Sequence, residues 1–420
     1  MSYTKIFSFL FLFITGESIM VHTELGDFPT AFWWFINLLL IVLFFIIKPQ
    51  YYSKNDETPL LFVKFFLLWN IITILRGFFI ADNYWEWKNL ISTMFVFLIP
   101  LFVFLFINKD FLQKLLSFWF KYMIYLVLIF IPFINHGDFL GKWFSPLLLL
   151  ILVLPILPYR WKIFTLALTF IIIVTSLDSR SNVLRLTMAF GLGSLYYFRA
   201  FFIEKIFKTI HLVLILLPVI LLILGLSGIF NIFKMNDYIK GDYSVMTRDS
   251  GKLEKSSIKA DTRTFLYVEN ITSAIKHDYI LEGRTPANGY ESKAFGDFLK
   301  WELGTGKGER FASEVSILNI FTWNGLIGVV LYFFIFWKSS YLAIYKSNNY
   351  FIKVIGLFVA FRWAYAFVED FTTFDIQYIF LWALIAMCFS SSFRNMTDIE
   401  FKTWIRELLN NASLFKFKRY

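Results

Sequence analysis

Residues 233–312 open with Phe233-Lys234-Met235-Asn236-Asp237 and close with Glu309-Arg310-Phe311-Ala312, and they form the one long polar stretch in a chain of 420 residues. The stretch carries thirteen Lys or Arg and twelve Asp or Glu, so it is nearly neutral. On both sides of it the chain is apolar in recurring runs of about 20 residues, enough for a helix to cross a hydrocarbon core of ~30 Å. Hydrophobic residues make up 58% of the chain, 55 positions are Phe, and the mean hydropathy is +0.64, far from the composition of a water-soluble domain. The apolar runs are continuous and do not alternate, which favours helices over a barrel.

The fold expected is therefore all-α, a polytopic integral membrane protein of about 12 transmembrane helices with one large loop outside the membrane. The spans are placed at 5–21, 30–47, 60–80, 90–107, 116–134, 144–158, 161–177, 183–199, 210–232, 313–337, 351–368 and 374–392. Four regions follow: a bundle over 1–232, the loop 233–312, a second bundle 313–392, and a basic tail 393–420. Lys5 and the run Ile6 to Thr15 resemble a signal peptide, but Gly16-Glu17-Ser18 interrupts it and no small-x-small cleavage site follows, so a retained first helix is expected. The lone Cys388 allows no internal disulfide and argues against a zinc–thiolate site.

Lys and Arg set the orientation. One set of connections carries Lys48, Lys54, Lys109, Lys114, Arg160, Lys162, Arg199, Lys205, Lys208, Lys338 and Lys346, and the tail adds six more basic residues. The alternate short loops hold only Lys88, Lys142 and Arg180. Both termini are thus expected in the cytoplasm and the 233–312 loop on the outer face. The net charge of +10 then lies mostly on the cytoplasmic side, where anionic membrane lipids account for it without nucleic acid. In the tail, Ile399, Trp404, Ile405, Leu408 and Leu409 lie among charges, as in a helix resting on the membrane surface.

Charges at membrane-helix ends are costly and mark candidate sites. They gather at the outer ends: Arg76 closes the third span, Arg180 lies between the seventh and eighth with Arg185 a turn deeper, and Arg362 and Glu369 lie toward the end of the eleventh. Glu314 opens the tenth span. Each also has a plain structural reading. Arg76 fits a snorkelling side chain, Arg362 and Glu369 fit an ion pair, and Glu314 fits a complement to a helix dipole. Inside the loop, Asp261-Thr262-Arg263 reads as a helix start, followed at helical spacing by Phe265, Val268, Ile271 and Ile275. A guanidinium at a helix N-terminus suits a phosphate. Arg284 lies in the Gly-rich turn region that follows. The four His are scattered, no P-loop or Asp-x-Asp pair is present, and the sequence calls for no cofactor and no metal.

This ordered set resembles the O-antigen polymerase/O-antigen ligase superfamily of bacterial envelope proteins. The resemblance is carried by Leu75-Arg76-Gly77, Ser179-Arg180-Ser181, the Arg263-led helix running to Leu281-Glu282-Gly283, Ser316-Ile317-Leu318-Asn319 with Gly325-Leu326-Ile327-Gly328, and Arg362-Trp363-Ala364-Tyr365 to Glu369-Asp370. It implies metal-independent glycosyl transfer at the periplasmic face of the bacterial inner membrane, on oligosaccharides carried by undecaprenyl pyrophosphate. By matching position it makes Arg180 and Arg263 the pyrophosphate ligands, with Arg185, Arg76, Arg284 and Arg362 as further candidates. The ligase branch places a His near the end of the big loop, where this chain has Arg310-Phe311-Ala312-Ser313-Glu314-Val315. That departure favours the polymerase branch, for which a chain-length regulator protein is the expected partner.

Physical chemistry supplies the same outline. Cleaving a sugar–pyrophosphate bond builds negative charge on the leaving group, and fixed arginines stabilise it. A carboxylate near the anomeric carbon takes the proton of the incoming hydroxyl, with Glu314 first in line and Glu369 behind it. The rival readings are the ligase and a flippase for lipid-linked oligosaccharide. A flippase predicts paired, interrupted helices, and no such pair is visible in the sequence.

Overall fold

A computed structural model describes residues 2–20, 28–52, 60–130, 144–175, 180–199, 204–238, 244–249, 252–257, 261 and 263–412. Helices dominate: α1 (Tyr3–Met20), α2 (Thr30–Tyr51), α3 (Leu61–Phe78), α4 (Tyr84–Leu98), α5 (Lys109–Phe130), α6 (Leu147–Leu152), α7 (Tyr159–Thr175), α8 (Arg180–Ser194) and α9 (Glu204–Leu226) precede the loop. Within the loop lie α10 (Thr264–Lys276), α11 (Gly296–Leu303), the hairpin of β1 (Ser244–Asp249) and β2 (Lys252–Ser257), and the two-residue pair β3 (Tyr290–Glu291) and β4 (Glu309–Arg310). After it come α12 (Ser316–Tyr345), α13 (Tyr350–Tyr365), α14 (Ile376–Phe389) and α15 (Asp398–Ala412).

Six helices among the described residues are long and apolar enough to cross a membrane: α2, α3, α4 with its continuation to Phe106, α5, α9 and α12. Each falls on an expected span. Helices α1, α7, α8 and α13 also occupy expected spans, but at 18, 17, 15 and 16 residues they are outside that set. The sixth expected span, 144–158, is not a long helix. Pro155 lies in a short 3-10 turn, and α6 keeps only six residues, about 9 Å at 1.5 Å rise per residue.

The core is built on α12, α13 and α14. Helix α12 packs against α3, α13 and α14, while α9 and α8 lie against α13. Every residue of α14 is buried, as an all-round apolar helix requires. The tail helix differs from expectation. Its apolar face, Phe401, Trp404, Ile405, Leu408 and Leu409, is buried against α5, with Ser117 donating to the Leu408 carbonyl (2.9 Å) and the Trp404 indole to that of Lys109 (3.2 Å). Only Ile399 of the expected stripe points outward, 77% exposed.

Helix α12 is broken. Gly325 has φ 65° and ψ −168°, a conformation open in practice only to glycine. The break frees backbone groups, and the loop segment 280–285 pairs with them. The Arg284 and Thr285 amides donate to the Thr322 and Trp323 carbonyls (2.7 and 3.1 Å), and the Leu326 and Ile327 amides donate to those of Ile280 and Leu281 (2.8 and 3.2 Å). The freed backbone groups are thereby satisfied within the protein, the condition for irregular backbone at a membrane helix. In the sequence no matching pair of interrupted helices is visible; the break in α12 shows when 280–285 is placed against 322–327.

A charged clasp at the junction of loop and bundle

Arg263 stands immediately before α10, and its position is fixed from behind. The Asp261 carboxylate accepts from the Arg263 amide (3.1 Å) and the Thr264 amide (2.9 Å), capping the helix start. Burial pushes the Asp261 carboxyl up, but hydrogen bonds from Thr264 and the Arg263 amide outweigh it and hold the group below its ordinary value. Tyr267, a turn further on, is buried and donates to the Phe367 carbonyl (2.7 Å); burial pushes this hydroxyl's pKa well up, so it stays a donor. Asn270, fully buried, receives a hydrogen bond from Thr322 (2.5 Å). One face of α10 is thus fastened to the ends of α12 and α13.

From that base the Arg263 guanidinium reaches three acceptors among the described residues. Nε donates to the Val368 carbonyl (3.0 Å), Nη1 pairs with Glu314, and Nη2 lies 3.5 Å from Glu369. Arg310 closes the other side of Glu314 at 3.1 Å. The carboxylates are placed by the starts and ends of two helices: Glu314 just precedes α12, and Glu369 follows α13. Ser316 binds the 369–371 backbone, donating to the Glu369 carbonyl (3.1 Å) and accepting from the Phe371 amide (2.9 Å), while Asn319 holds Ser313 and Thr372. Ser316 and Asn319 were visible in the sequence only as part of a motif, and the structure gives them this positioning role.

Below the clasp lie two buried guanidiniums. Arg185 is 0% exposed and donates to Asn182 (2.9 Å); the charges of Glu369 and Asp375 reach it. Arg362 is 1% exposed, within electrostatic reach of Arg185, and its guanidinium carbon lies 4.1 Å from the Phe371 ring centre and 4.9 Å from that of Tyr365. None of its three side-chain nitrogens has a hydrogen-bond acceptor among the described residues. A buried guanidinium in that state is costly unless an anion joins it.

An apolar groove of about 240 Å³ runs beside the clasp, lined by Leu184 of α8, Pro218 and Leu222 of α9, Tyr267 of α10, and Phe361, Phe367 and Val368. Val368 belongs to both: its side chain lines the groove and its carbonyl holds Arg263.

Of the residues the sequence singled out, Arg263, Glu314 and Glu369 meet in one network, with Arg185 and Arg362 beside it. The Arg180 side chain lies outside the described atoms. Arg76 and Arg284 are engaged outside that network. Arg76 donates to the carbonyls of Glu282 (2.9 Å) and Gly283 (3.1 Å) and pairs with the Glu282 carboxylate (3.4 Å), clamping the loop segment at the α12 break. Arg284 pairs with Glu309 (2.9 Å) and donates to the Gly289 carbonyl (2.7 Å), closing the turn region onto β4. The loop's His277 is engaged with Glu291 at 3.2 Å. Among the described residues, no group of three or more His, Cys, Asp or Glu is placed to hold a metal ion.

The fold and site define a helical, multi-pass membrane protein with a charge cluster where a large polar loop meets the bundle. Compared with family models, curated proteins and solved structures, the chain matches none.

Proposed function

We propose that the chain is a membrane glycosyltransferase acting on polyprenyl-pyrophosphate-linked sugars without a metal. Within that class we infer an O-antigen polymerase, joining undecaprenyl-pyrophosphate-linked repeat units at the periplasmic face of the bacterial inner membrane. The observation that carries the reading is Arg362: a buried guanidinium without an acceptor among the described residues, next to Arg185 and beneath the Arg263 clasp. A pyrophosphate supplies the missing acceptors, and the adjoining apolar groove suits the isoprenoid chain. The resemblance noted in the sequence points the same way, and Arg310 to Val315 without a His favours polymerase over ligase.

In this reading the resting clasp keeps its charges balanced, Arg185, Arg263, Arg310 and Arg362 facing Glu314, Glu369, Asp370 and Asp375. Incoming pyrophosphate takes Arg263 from its carboxylates. Glu314 is left with Arg310 alone and accepts the proton of the attacking hydroxyl, with Glu369 as the second carboxylate in reach of the same exchange. The hydroxyl oxygen bonds to the anomeric carbon as the C–O bond to pyrophosphate breaks, and the guanidiniums hold the charge that the leaving group carries away. The same proposal keeps twelve spans, the sixth as the broken segment 144–158, with both termini in the cytoplasm, the 233–312 loop outside, and a chain-length regulator as partner.

Purified protein incubated with lipid-linked single repeats tests it. Lipid-linked dimers and longer chains, formed in chelator, are expected. Single repeats left unchanged by protein that still binds an isoprenyl pyrophosphate contradict the polymerase step.

A further inference from the structure

A second cleft, of about 470 Å³, opens beside the same connection and shares no lining residue with the apolar groove. Its size is that of a small-ligand site, roughly 300–1,000 Å³. Its walls combine three indoles, Trp33, Trp34 and Trp323, with the polar side chains of Asn37, Asn89 and Asp370. Two of these carry unused acceptors. Asn37 is 5% exposed, and its side-chain oxygen has no hydrogen-bond partner among the described residues. Asp370 is held through Oδ1 by Ser316 (3.1 Å), the Thr372 amide (2.9 Å) and the Thr372 hydroxyl (2.6 Å), while Oδ2 takes no hydrogen bond among the described residues. A buried amide oxygen without a donor is costly and is met when a ligand brings one.

The chemistry of this wall fits one class of ligand. Sugar rings present C–H faces to indoles, and their hydroxyl and N-acetyl N–H groups donate to carboxylate and amide oxygens. In three consecutive residues the chain passes from the apolar groove (Val368), through the clasp (Glu369), to this cleft (Asp370). We propose that the cleft binds the oligosaccharide part of the substrate, so that the 368–370 connection sorts lipid, pyrophosphate and sugar into adjoining compartments. The inference rests on the glycosyltransferase reading and adds to it where the sugars lie.

Thiol labelling tests it on the purified full chain in detergent, because the native Cys388 is fully buried. Thr373→Cys and the near-isosteric Ser92→Cys place a reporter in the cleft, and Leu222→Cys places one in the groove. The probes are the oligosaccharide released by mild acid from the host's lipid-linked repeats, and a short isoprenyl pyrophosphate. At ten times its Kd, the oligosaccharide is expected to slow labelling in the cleft about tenfold and leave the groove unchanged. Labelling at Thr373→Cys and Ser92→Cys that the oligosaccharide does not slow, or slows equally at Leu222→Cys, overturns the proposal. Protection in the cleft together with a normal polymer ladder in a deletion strain overturns the polymerase reading and keeps the cleft. A collapsed ladder without protection does the reverse.

Discussion

Gly283 and Gly325 lie back to back: a Cβ on Gly283 would come 2.5 Å from the Gly325 nitrogen, and a Cβ on Gly325 would come 2.5 Å from that of Gly283. Both have positive φ, 72° and 65°. Here the loop segment 280–285 enters the break in α12, so Gly283→Ala and Gly325→Ala each add a backbone collision to the strain. Strain alone costs about 1–3 kcal/mol at such positions. Both variants are expected to lower Tm in detergent clearly more than Gly304→Ala, which has φ 61° but open space around it. Equal losses at all three positions contradict the close approach.

Arg76 clamps that segment by its carbonyls, so its expected role is to hold the loop at the break. Arg76→Gln is expected to cost about 1–2 kcal/mol of stability through lost charge-assisted hydrogen bonds, and to leave the affinity for a short isoprenyl pyrophosphate unchanged. Calorimetric titration of the variant checks this; a tenfold loss of affinity with normal stability would return Arg76 to the anion site.

Arg362 is expected to behave in the opposite way. A buried guanidinium without an acceptor contributes little to the folded state, and replacing such charges by apolar groups is often neutral or stabilising by about 1–4 kcal/mol. Arg362→Met should therefore keep or raise Tm and abolish chain extension. Thermal unfolding paired with an assay on lipid-linked repeats decides it, and a strongly destabilised Arg362→Met would mark the residue as structural.

These two arginines show how much of the site is legible in the sequence. The apolar runs, the loop between them and the Asp261-Thr262-Arg263 helix start were legible because each rests on local pattern. The clasp was half legible: Arg263, Glu314 and Glu369 stood out as charges at helix ends. What was hidden depends on pairing across distance. Arg76 and Arg362 look alike as charges near helix ends, and only the carbonyls of residues 282 and 283, more than 200 positions away, separate their roles. The break at Gly325 and the holding of 369–372 by Ser316 and Asn319 were hidden for the same reason. The segment 144–158 is not one long helix because its prolines interrupt it, which its hydropathy alone hides.

Glu314 is bridged by Arg263 and Arg310 and half exposed. Glu314→Gln keeps size and hydrogen bonding but removes the proton acceptor, and it is expected to stop chain extension at unchanged protein level. A gel of surface polysaccharide beside an immunoblot is the check. Near-normal polymer from this variant passes the role to Glu369, where Glu369→Gln is then the variant that stops extension.

The Asp261 cap carries a pH dependence whose sign is fixed. Its carboxyl is held below its ordinary 3.8 in the folded protein, so its contribution is fully present above that value and is lost as pH falls through the lowered one. Asp261→Asn keeps a capping oxygen and should flatten the acid limb of the unfolding profile. Asp261→Ala removes the cap and should cost about 1 kcal/mol near neutral pH. Parallel acid limbs for the native protein and the Asp261→Asn variant would contradict the assignment.

The surface-polysaccharide gel of a strain deleted for this gene, with plasmid rescue, separates polymerase from ligase and flippase. A polymerase gives a ladder collapsed to core plus a single repeat unit, restored by the native gene and not by one encoding Arg362→Met. Core alone with long polymer stranded on its lipid carrier would contradict the polymerase reading in favour of a ligase. Core alone with no polymer outside the membrane would contradict it in favour of a flippase.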